Sequence, residues 1–436
     1  MAGATSSLRK IHALQAPLSA RVEIPGSKSL TNRHLVLAAL ASGTSELRGV
    51  LASDDCDRLR VALTAMGARF EELDGDWSGW SIMGVHGKPH SAACINLGDG
   101  GTPTRFMLAV AALCGEETTV DGSTRMRERP VGEGVEMLVA LGASARFARL
   151  QGALPIAIRG PLTQARIEVG QTASSQFISA LLLIAPCMPE GLEVCFRQPP
   201  TSASYLELSI DALRAAGVCV DVRRQEDHSL ASISIAAQPI HAHALQIEPD
   251  ASSAVYFAAL AALVGGSVDI AGLHLEIAQP DLFFFEDLQQ RGASISNIDC
   301  AVRVTAGTLR ARDTDYERAP DAAVMAMVLA ACADAPSTFT GLRTLRVKES
   351  DRIASVAEGL RALGGVVDTG NDWVRVHPLP AQLKPATIQT HSDHRIAMAF
   401  AVLGCARSGV SIANPDVVSK SWPGFWDALE AVSTLR

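Results

Sequence analysis

Apolar segments with helical spacing recur along the chain, and five of them end in a small-residue step to glycine. These glycines are Gly67, Gly142, Gly217, Gly292 and Gly364, at steps of 75, 75, 75 and 72 residues. Glycine directly after a helix is its usual C-terminal cap. The regular step therefore predicts a duplicated unit of about 75 residues.

A second series of apolar helices is out of phase with the first, and a strand-like run such as Val194–Phe196 follows each of its glycines. Together the two series predict about six copies of a unit with two helices and several short strands. The last copy, which ends in Phe425–Val432, lacks its glycine. Because the period exceeds the roughly 20–50 residues usual for solenoids, we expect α/β units packed into globular domains. The second series comprises Gly43, Gly115, Gly191, Gly266 and Gly409.

Length and composition favour a well-buried protein of more than one domain. The chain has 436 residues, of which 48% are hydrophobic, 19% charged and only 5% aromatic. The length suggests two or three domains, with cores built from Ala, Leu, Val and Ile. No low-complexity linker interrupts the chain, so we place the domain boundaries at short crossings near Pro25-Gly26 and Glu248-Pro249-Asp250.

Charge and cysteine usage narrow the functional class. The net charge of −8 argues against non-specific nucleic-acid binding and against a basic membrane-surface helix. The nine cysteines are irregularly spaced without C-x-x-C, and most lie in apolar runs such as Val218-Cys219-Val220. We expect reduced core thiols in a cytoplasmic protein, and no metal site. Met1–Lys10 lacks an apolar signal core, and no apolar run reaches the roughly 18 residues of a membrane span.

The segment Ile24–Arg33 places a Pro-Gly turn before Lys28, two serines and Arg33, at the start of an apolar helical run. Ser27 or Ser29 can cap that helix, and the unpaired backbone N–H groups at its start suit an anion. The alternative is an ordinary capped helix with a solvated basic end.

Two more segments combine anion-binding chemistry with a helix start. Gly98–Arg105 offers glycines, Thr102 as N-cap and Pro103 in the first helical position, before a helix predicted at Thr104–Leu113. A tight strand–helix turn is the alternative. Arg125–Pro130 spaces three arginines on one side of a predicted extended loop, where they suit carboxylate or phosphate, unless they form a solvated charged loop.

Polar residues also precede other apolar helices, and for each the alternative is ordinary capping or surface pairing. The central examples are Thr172–Gln176 before a helix at Ile178–Ala185, and Ser202 and Tyr205 before one at Leu206–Ala216. The Asp250–Ser253 motif we interpret mainly as a cap.

Nearer the C-terminus, Asp321 lies in the first turn of an apolar helix, as a dipole partner or as a general base. Lys348 and Arg352 are predicted to share one helical face with Glu349 beside them; the alternative is ordinary surface pairing. His394 and Arg395 open another helix, and Lys420 by itself is predicted to face solvent.

Cations are thus concentrated at helix starts in an acidic chain, which predicts that it binds more than one small anion. Eleven of the 38 Lys and Arg residues lie in these segments: residues 28, 33, 105, 125, 127, 129, 346, 348, 352, 395 and 420.

Eight of these motifs, in this order, resemble the 5-enolpyruvylshikimate-3-phosphate synthase family of enolpyruvyl transferases over nearly the whole chain. They are Pro25-Gly26-Ser27-Lys28-Ser29 with Asn32-Arg33, Gly98-x-x-Gly101-Thr102-x-x-Arg105, Arg125–Pro130, Ser174-Ser175-Gln176, Asp250–Ser253, Pro320–Ala323, Arg346–Arg352 and Asp393-His394-Arg395.

The resemblance implies an α/β fold of six βαβαββ units, three in each of two domains, as an inside-out α/β barrel. Domain I would be discontinuous, with residues 1–25 plus 248–436, and domain II would span 26–247. The active site would lie in the cleft between the domains, which close on substrate.

The resemblance also implies transfer of the enolpyruvyl group of phosphoenolpyruvate to the 5-hydroxyl of shikimate 3-phosphate, with release of phosphate. The enzyme would be a cytoplasmic monomer without cofactor, metal, nucleic acid or membrane partner. Shikimate 3-phosphate would contact Lys28, Ser29, Arg33, Ser174, Ser175, Gln176, Ser202, Tyr205, Asp321 and Lys348. Phosphoenolpyruvate would contact Lys28, Gly101, Arg125, Gln176, Arg352, Arg395 and Lys420.

The same resemblance gives Asp321 the 5-hydroxyl proton, leaves Glu349 and Lys28 as candidates for protonating the methylene carbon, and makes His394 a supporting residue. Two substrates with two phosphates and two carboxylates need many fixed cations to offset their repulsion.

The chain departs from the family pattern at Asp99, where Asn is common, and at Pro103 and Phe106. These changes bear on substrate affinity and on sensitivity to inhibitors that mimic phosphoenolpyruvate. Two alternatives share the fold: the transferase that uses UDP-N-acetylglucosamine, whose opening motif has Lys-Asn, and an inactive anion-binding protein. Lys28-Ser29, the lack of a cysteine in Arg125–Pro130 and the retained Asp321 and Glu349 argue against them.

Overall fold

The computed structural model describes residues 7–14, 17–73 and 76–434, which form two compact units. The central unit is Gly26–Ile247, and the terminal unit comprises the described residues up to Pro25 and from Glu248 onward. Most of Met1–Lys10, where no signal segment is expected, and residues 15 and 16 of the predicted domain I lie outside the described residues.

The described residues contain thirteen α-helices. They are α1 (Lys28–Leu40), α2 (Asp54–Ala65), α3 (Gly101–Ala111), α4 (Thr124–Glu128), α5 (Gly132–Ala140), α6 (Gln176–Ile184), α7 (Ala203–Ala215), α8 (Ala251–Val264), α9 (Phe283–Gln290), α10 (Pro320–Ala330), α11 (Arg352–Ala362), α12 (His394–Ala406) and α13 (Phe425–Thr434). Short 3-10 helices occupy Ala185–Cys187, Pro280–Leu282, Arg343–Val347 and Pro415–Lys420.

The strands are short, as expected for a duplicated unit of modest length. They are β1 (Leu8–Lys10), β2 (Leu18–Glu23), β3 (Thr44–Arg48), β4 (Arg69–Leu73), β5 (Asp76–Met83), β6 (Cys94–Asn96), β7 (Thr118–Asp121), β8 (Ser144–Phe147), β9 (Ile156–Arg159), β10 (Arg166–Val169), β11 (Leu192–Phe196), β12 (Asp221–Arg224), β13 (Leu230–Ile235), β14 (Ala244–Gln246), β15 (Gly266–Ala271), β16 (Ser294–Ile298), β17 (Ala301–Thr305), β18 (Thr314–Asp315), β19 (Ser337–Thr340), β20 (Val367–Thr369), β21 (Val374–Val376), β22 (Ala386–Ile388) and β23 (Val410–Ala413).

Six small sheets lie in the described residues, three in each unit. Five have four strands in one shared pattern, illustrated by β6-β7-β9-β8: the first pair is parallel and the other two pairs are antiparallel. This is the pairing expected of a βαβαββ unit, since only the first connection needs a helical crossover. The six predicted copies and the α/β fold class are confirmed.

Strands close to the unit boundaries pair with strands that are distant from them in the sequence. In the terminal unit, β2 pairs in parallel with β15, so that Val22 lies opposite Ile270. There too, β1 is the antiparallel edge of the sixth sheet, beside β23 and then β22. In the central unit, β14 pairs in parallel with β3. Residues 7–23 are therefore structural parts of the same unit as residues 248–434.

The predicted glycine caps are confirmed for all five glycines of the first series, which have positive φ after α2, α5, α7, α9 and α11. Gly67 and Gly142, with φ of 107° and 114°, are examples of the left-handed conformation that favours glycine. The out-of-phase helices are α1, α3, α6, α8, α10 and α12, each largely buried.

Each unit has its own hydrophobic core, built mainly from aliphatic residues as the composition predicts. The helices α8, α10 and α12 pack on one another in the terminal unit, and α1, α3 and α6 do so in the central unit. A helix that is apolar on all sides must be buried on all sides. These six inner helices therefore leave only their ends available for chemistry.

The expectation that the cysteines are core residues is wrong for Cys94, Cys219 and Cys300, which are exposed. All nine thiols are free. Val218 is buried, whereas the next residue, Cys219, is exposed. The apolar sequence Val218-Cys219-Val220 does not show which of its side chains face the core.

Among the described residues, no helix has the length and apolar character needed to cross a membrane.

Candidate active site

Several of the predicted functional residues lie at the N-terminal ends of the inner helices. Lys28 begins α1, Gly101 begins α3 and Gln176 begins α6, all in the central unit. In the terminal unit, Asp321 is the second residue of α10 and Arg395 the second of α12. Free backbone N–H groups and the helix dipole favour anions at these ends.

Lys28 is held by a buried carboxylate at the start of α2. Its Nζ lies 3.5 Å from Oδ2 of Asp55, which is 4% exposed, while the lysine side chain keeps 17% exposure. Ser27 occupies the predicted N-cap position, but its side chain makes no capping bond, and its buried Oγ has no hydrogen-bond partner among the described residues. The start of α1 therefore keeps free backbone donors beside an ammonium group.

The start of α3 is adjacent to this pair. A side chain at Gly100 would begin 3.3 Å from Oδ1 of Asp55. The helix begins at Gly101 with Gly100 as N-cap, so the predictions of Thr102 as cap and Pro103 as first helical residue are wrong. Glycine at both positions lets the backbone approach the charged side chains closely, which moves the helix start two residues toward the N-terminus.

Arg129 is a functional candidate that the sequence does not distinguish from the other two arginines of Arg125–Pro130. Its guanidinium is buried against Gly101, so that a methyl group there would lie 2.6 Å from Nη1 and 2.8 Å from Nη2. Arg105, also buried, donates to the carbonyls of Gly101 and Pro130 at 2.8 and 3.2 Å, and ties this segment to α3. The sequence placed Arg129 in a charged motif, but three similar arginines gave no basis for choosing it.

The predicted extended loop at Arg125–Pro130 is wrong, because Thr124–Glu128 is the short helix α4, capped by Ser123. Arg125 is exposed and pairs with Glu128 at 2.7 Å, three residues away. Arg127 pairs with Asp121. The helical turn thus separates the three arginines, and only Arg129 points into the protein. Asp99, which accepts a hydrogen bond from Ser123, helps to hold this turn.

Arg33 is a buried cation in the interior of the central unit. It is 2% exposed, donates to the backbone oxygens of Ser29 and Tyr205, and contacts the hydroxyls of Ser179 and Ser209. Burial lowers its pKa to about 10, against the opposing effect of Tyr205. Every one of these partners is neutral, so the positive charge is uncompensated by a carboxylate among the described residues, which favours a nearby anion.

The remaining polar residues of the central unit surround the starts of α6 and α7. Ser175 occupies the N-cap position of α6, and Ser174 Oγ accepts a hydrogen bond from the backbone N–H of Gln176 at 3.3 Å. Ser202, at the N-cap position of α7, is buried with a left-handed φ of 49°. A serine in that conformation is strained, which is common at functional sites. Tyr205 is in the first turn of α7.

In the terminal unit, Asp321 lies among three cations. Its Oδ1 is 2.8 Å from Nη1 of Arg352 and 3.2 Å from Nζ of Lys348, and its Oδ2 is 3.2 Å from Nη2 of Arg395. Burial by itself raises the pKa of this carboxyl, but the three cations outweigh that effect and hold it well below its usual range. Asp321 is therefore ionised and held by three ion pairs.

Arg352 connects Asp321 to two further carboxylates. Nη2 lies 2.8 Å from Oε2 of Glu349 and Nε lies 2.8 Å from Oδ2 of Asp393. Burial lowers the pKa of this guanidinium, but the three carboxylates more than offset it and raise the pKa. We call Asp321, Lys348, Glu349, Arg352, Asp393, Arg395 and Lys420 the terminal cluster.

Two predictions about where the residues of the terminal cluster lie are wrong. Lys348 and Arg352 do not share a helical face, because Lys348 is extended after a 3-10 helix and Arg352 is the first residue of α11. They meet at Asp321 instead. Lys420 does not face solvent: it is 8% exposed, at the end of the 3-10 helix Pro415–Lys420, with Nζ 3.7 Å from Oε1 of Glu349.

His394 begins α12 and is buried, with Nδ1 3.8 Å from Oδ1 of Asp393. Asp393 caps the same helix by accepting a hydrogen bond from the N–H of Arg395. His394 is thus next to Asp393, a member of the terminal cluster. Within the part of the chain that is described, no group of three or more His, Cys, Asp or Glu residues is placed to hold a metal ion.

Comparison with known proteins gives one consistent result. Residues 13–429 match the family model of EPSP synthase (3-phosphoshikimate 1-carboxyvinyltransferase). Proteins named 3-phosphoshikimate 1-carboxyvinyltransferase from Herminiimonas arsenicoxydans and Methanosphaerula palustris are each 38% identical, over 94% and 96% of this chain and 94% and 98% of theirs. The solved EPSP synthase of Acinetobacter baumannii superposes with a TM-score of 0.78 at 25% identity, covering 98% of both chains.

Proposed function

The chain belongs to the EPSP synthase family, and we propose which of its residues carry out the family's reaction. It is a transferase of the shikimate pathway: it moves the enolpyruvyl group of phosphoenolpyruvate to the 5-hydroxyl of shikimate 3-phosphate and releases phosphate. The product leads to chorismate and the aromatic amino acids. The two alternatives with the same fold are not favoured, because the matched family and the relatives carry the shikimate acceptor in their names.

The observation that carries the assignment of residues is the arrangement of three cations around Asp321. Phosphate and carboxylate groups of substrates compete with Asp321 for Lys348, Arg352 and Arg395. As these cations turn toward a substrate anion, the stabilisation of the Asp321 carboxylate weakens and its pKa rises. Substrate binding thus converts a locked, weakly basic carboxylate into a base able to accept the 5-hydroxyl proton.

In this proposal phosphoenolpyruvate contacts Arg352, Arg395 and Lys420 of the terminal unit and Lys28, Gly101 and Gln176 of the central unit. The backbone of Gly101 contributes as the first residue of α3. We add Arg129 to this set, because its buried guanidinium lies against Gly101, and we retain Arg125 as a weaker member, since it is exposed and paired with Glu128.

Shikimate 3-phosphate in turn contacts Ser29, Arg33 and the helix-start residues Ser174, Ser175, Gln176, Ser202 and Tyr205, together with Lys28, Lys348 and Asp321. The uncompensated charge of Arg33 supports this assignment, as does the strained backbone of Ser202. Hydroxyl groups at helix starts complement a phosphate without adding further charge.

The reaction is an addition followed by an elimination, and its protons can be assigned to the same residues. A proton delivered to the methylene carbon of phosphoenolpyruvate leaves a cationic centre that the 5-hydroxyl oxygen attacks. Loss of that carbon-bound proton together with phosphate then restores the double bond. Glu349, between Arg352 and Lys420, and Lys28, beside Asp55, are the candidates for this donor.

We further propose that the enzyme is a cytoplasmic monomer that needs neither cofactor nor nucleic acid. The nine free thiols support a reducing compartment. Light scattering at the enzyme concentration used in the assay measures the molar mass and so tests the monomeric state.

The function is tested by incubating the purified enzyme with phosphoenolpyruvate and either shikimate 3-phosphate or UDP-N-acetylglucosamine, while phosphate release is followed. We expect release with shikimate 3-phosphate alone. Release only with the UDP-sugar, or none with either acceptor, contradicts the assigned reaction.

A further inference from the structure

We propose that Asp281 is a positioning residue whose buried carboxylate sets the charge balance between Asp321 and Arg395. This inference rests on the proposed roles of Asp321 as base and Arg395 as a phosphoenolpyruvate ligand. Asp281 lies outside every motif singled out in the sequence.

The position of Asp281 is fixed by two contacts to the first turn of α8. Its own 3-10 helix, Pro280–Leu282, packs against α8 and α10. Just before it, Gln279 Oε1 accepts a hydrogen bond from the backbone N–H of Ala251 at 3.0 Å. Ser252 Oγ donates to Oδ2 of Asp281. The carboxylate is therefore built into the fold and cannot swing out to solvent.

Despite this anchoring, the carboxylate is under-satisfied. Asp281 is 2% exposed, and its buried Oδ1 has no hydrogen-bond partner among the described residues. Such a group is costly to keep in a folded protein unless it serves a purpose. A carboxylate needed only for structure would accept hydrogen bonds through both oxygens.

The charged neighbours of Asp281 indicate that purpose. Asp321 of α10 and Asp250 before α8 repel this carboxylate, Arg395 of α12 attracts it, and Asp281 in turn acts on the buried phenol of Tyr316. Burial first and then repulsion by Asp321 raise the pKa of Asp281 to about 6, although Arg395 opposes this. The same repulsion acts on Asp321, and the same attraction acts on Arg395.

Removing the negative charge of Asp281 strengthens the binding of phosphoenolpyruvate but slows the chemical step. Arg395 loses a competing carboxylate, so it binds the anionic substrate more strongly and the KM for phosphoenolpyruvate falls. Asp321 loses a repelling neighbour, so its pKa falls, it becomes a weaker base and kcat falls. A residue of purely structural value produces a different pattern, because a distorted site raises KM as it lowers kcat.

The test is steady-state kinetics of Asp281→Asn, which keeps the shape and the acceptor for Ser252. We expect the KM for phosphoenolpyruvate to fall roughly threefold to tenfold and kcat to fall by a similar factor. The control is Asp269→Asn, which also removes one carboxylate from the terminal unit. Asp269, on β15, forms an ion pair with Arg303 on β17. This variant should leave both constants unchanged.

A raised or unchanged KM in Asp281→Asn, with a melting temperature near that of the wild type, overturns the inference. If the melting temperature falls by many degrees, the KM of the remaining folded enzyme still decides, because KM is independent of the amount of active protein. Failure of the proposed function is a separate result, since it would appear as absent turnover in the wild type.

Discussion

Lys28 combines a helix start, a partly exposed ammonium group and a buried partner, Asp55. We predict that Lys28→Met lowers kcat/KM by at least about a hundredfold, because a fixed charge aimed at the reacting phosphate is lost. Phosphate release under steady-state conditions measures the effect.

Lys88→Met is the matched control, since Lys88 is an exposed lysine of the same unit. The double variant Lys28→Met/Asp55→Asn removes the unpaired carboxylate that the single variant leaves buried. If the double variant regains near-normal turnover, the loss in the single variant reflects Asp55 and not the chemistry of Lys28.

Gly101 makes room for a guanidinium. A methyl group at this position would lie 2.6 Å from Nη1 of Arg129. We predict that Gly101→Ala displaces Arg129 and raises the KM for phosphoenolpyruvate roughly tenfold or more, the cost of one charged hydrogen bond.

The KM for shikimate 3-phosphate, measured in the same variant, should change less. Gly115→Ala is the control, because nothing lies within 4 Å of its added methyl group. An unchanged KM for phosphoenolpyruvate in Gly101→Ala would remove Arg129 from the proposed ligands.

The residues of the candidate site could be named from the sequence more easily than their surroundings. Asp321 and Arg395 were predicted at helix starts, where they lie. Lys420 was predicted in solvent, because nothing in its local sequence shows that Glu349 pairs with it across a separation of 71 residues. Asp281 was missed, and Arg129 was not distinguished from Arg125 and Arg127, for the same reason: their value comes from partners in other elements.

At the scale of elements, the tight packing of the inner helices depends on small residues. Gly404 lies in α12 where a methyl group would be 2.7 Å from Cβ and Cγ2 of Ile11, the residue after β1. Alanine in place of glycine usually stabilises a helix by about 1 kcal/mol. Here we predict that Gly404→Ala destabilises the enzyme by about 1–3 kcal/mol, because the core has no room.

Chemical denaturation measures this change, with Gly115→Ala, in open space, as the reference substitution. A more stable Gly404→Ala variant would show that Ile11 moves away without cost.

The helices were predictable because their apolar runs and glycine caps are local features. Their exact starts were less so: Ser27 was one of two predicted caps of α1, but α3 begins at Gly101, two residues before the predicted Pro103. In the proposed site, the polar side chains of these first turns bind ligands as well as shape the fold, so the hydrophobic pattern begins late. The helix α4 was missed because its five residues carry only one buried side chain, Met126.

At the scale of the whole molecule, a histidine pair makes the central unit sensitive to acid. His34 Nδ1 lies 3.3 Å from Nε2 of His243, whose Nδ1 is 3.1 Å from the carbonyl oxygen of His241. That carbonyl requires a proton on Nδ1 of His243, so its Nε2 is the acceptor for His34. Burial, then His243 and Arg33, lower the pKa of His34 to about 3.

Because this pKa lies below the unfolded value of about 6.5, the unfolded chain binds a proton between these values and the folded chain does not. Stability is therefore unaffected above about pH 6.5 and falls as the pH is lowered, by at most about 1.4 kcal/mol per pH unit from this group.

We predict a lower melting temperature at pH 5 than at pH 7, and a smaller difference in His34→Gln, which keeps a donor toward His243. The comparison is His377→Gln, whose half-exposed ring pairs with Asp368 in the terminal unit. Equal pH dependence in wild type and His34→Gln would contradict the role of the pair.

The six-fold repetition was the most predictable property of the whole molecule, since duplication leaves its period in the chain. The sequence did not reveal which strand completes which sheet. The pairing of β14 with β3 and of β2 with β15 joins residues about 200 or more positions apart, where hydrophobic pattern carries no information.

These long-range pairings also have a consequence for synthesis on the ribosome. The central unit is one continuous stretch, so it can fold as soon as residue 247 has emerged. The strands β1 and β2 are made first, yet their partners β23 and β15 are made much later. The nascent chain must carry β1 and β2 unpaired while the whole central unit is translated, and the sheet that contains β1 closes only after β23 has been made.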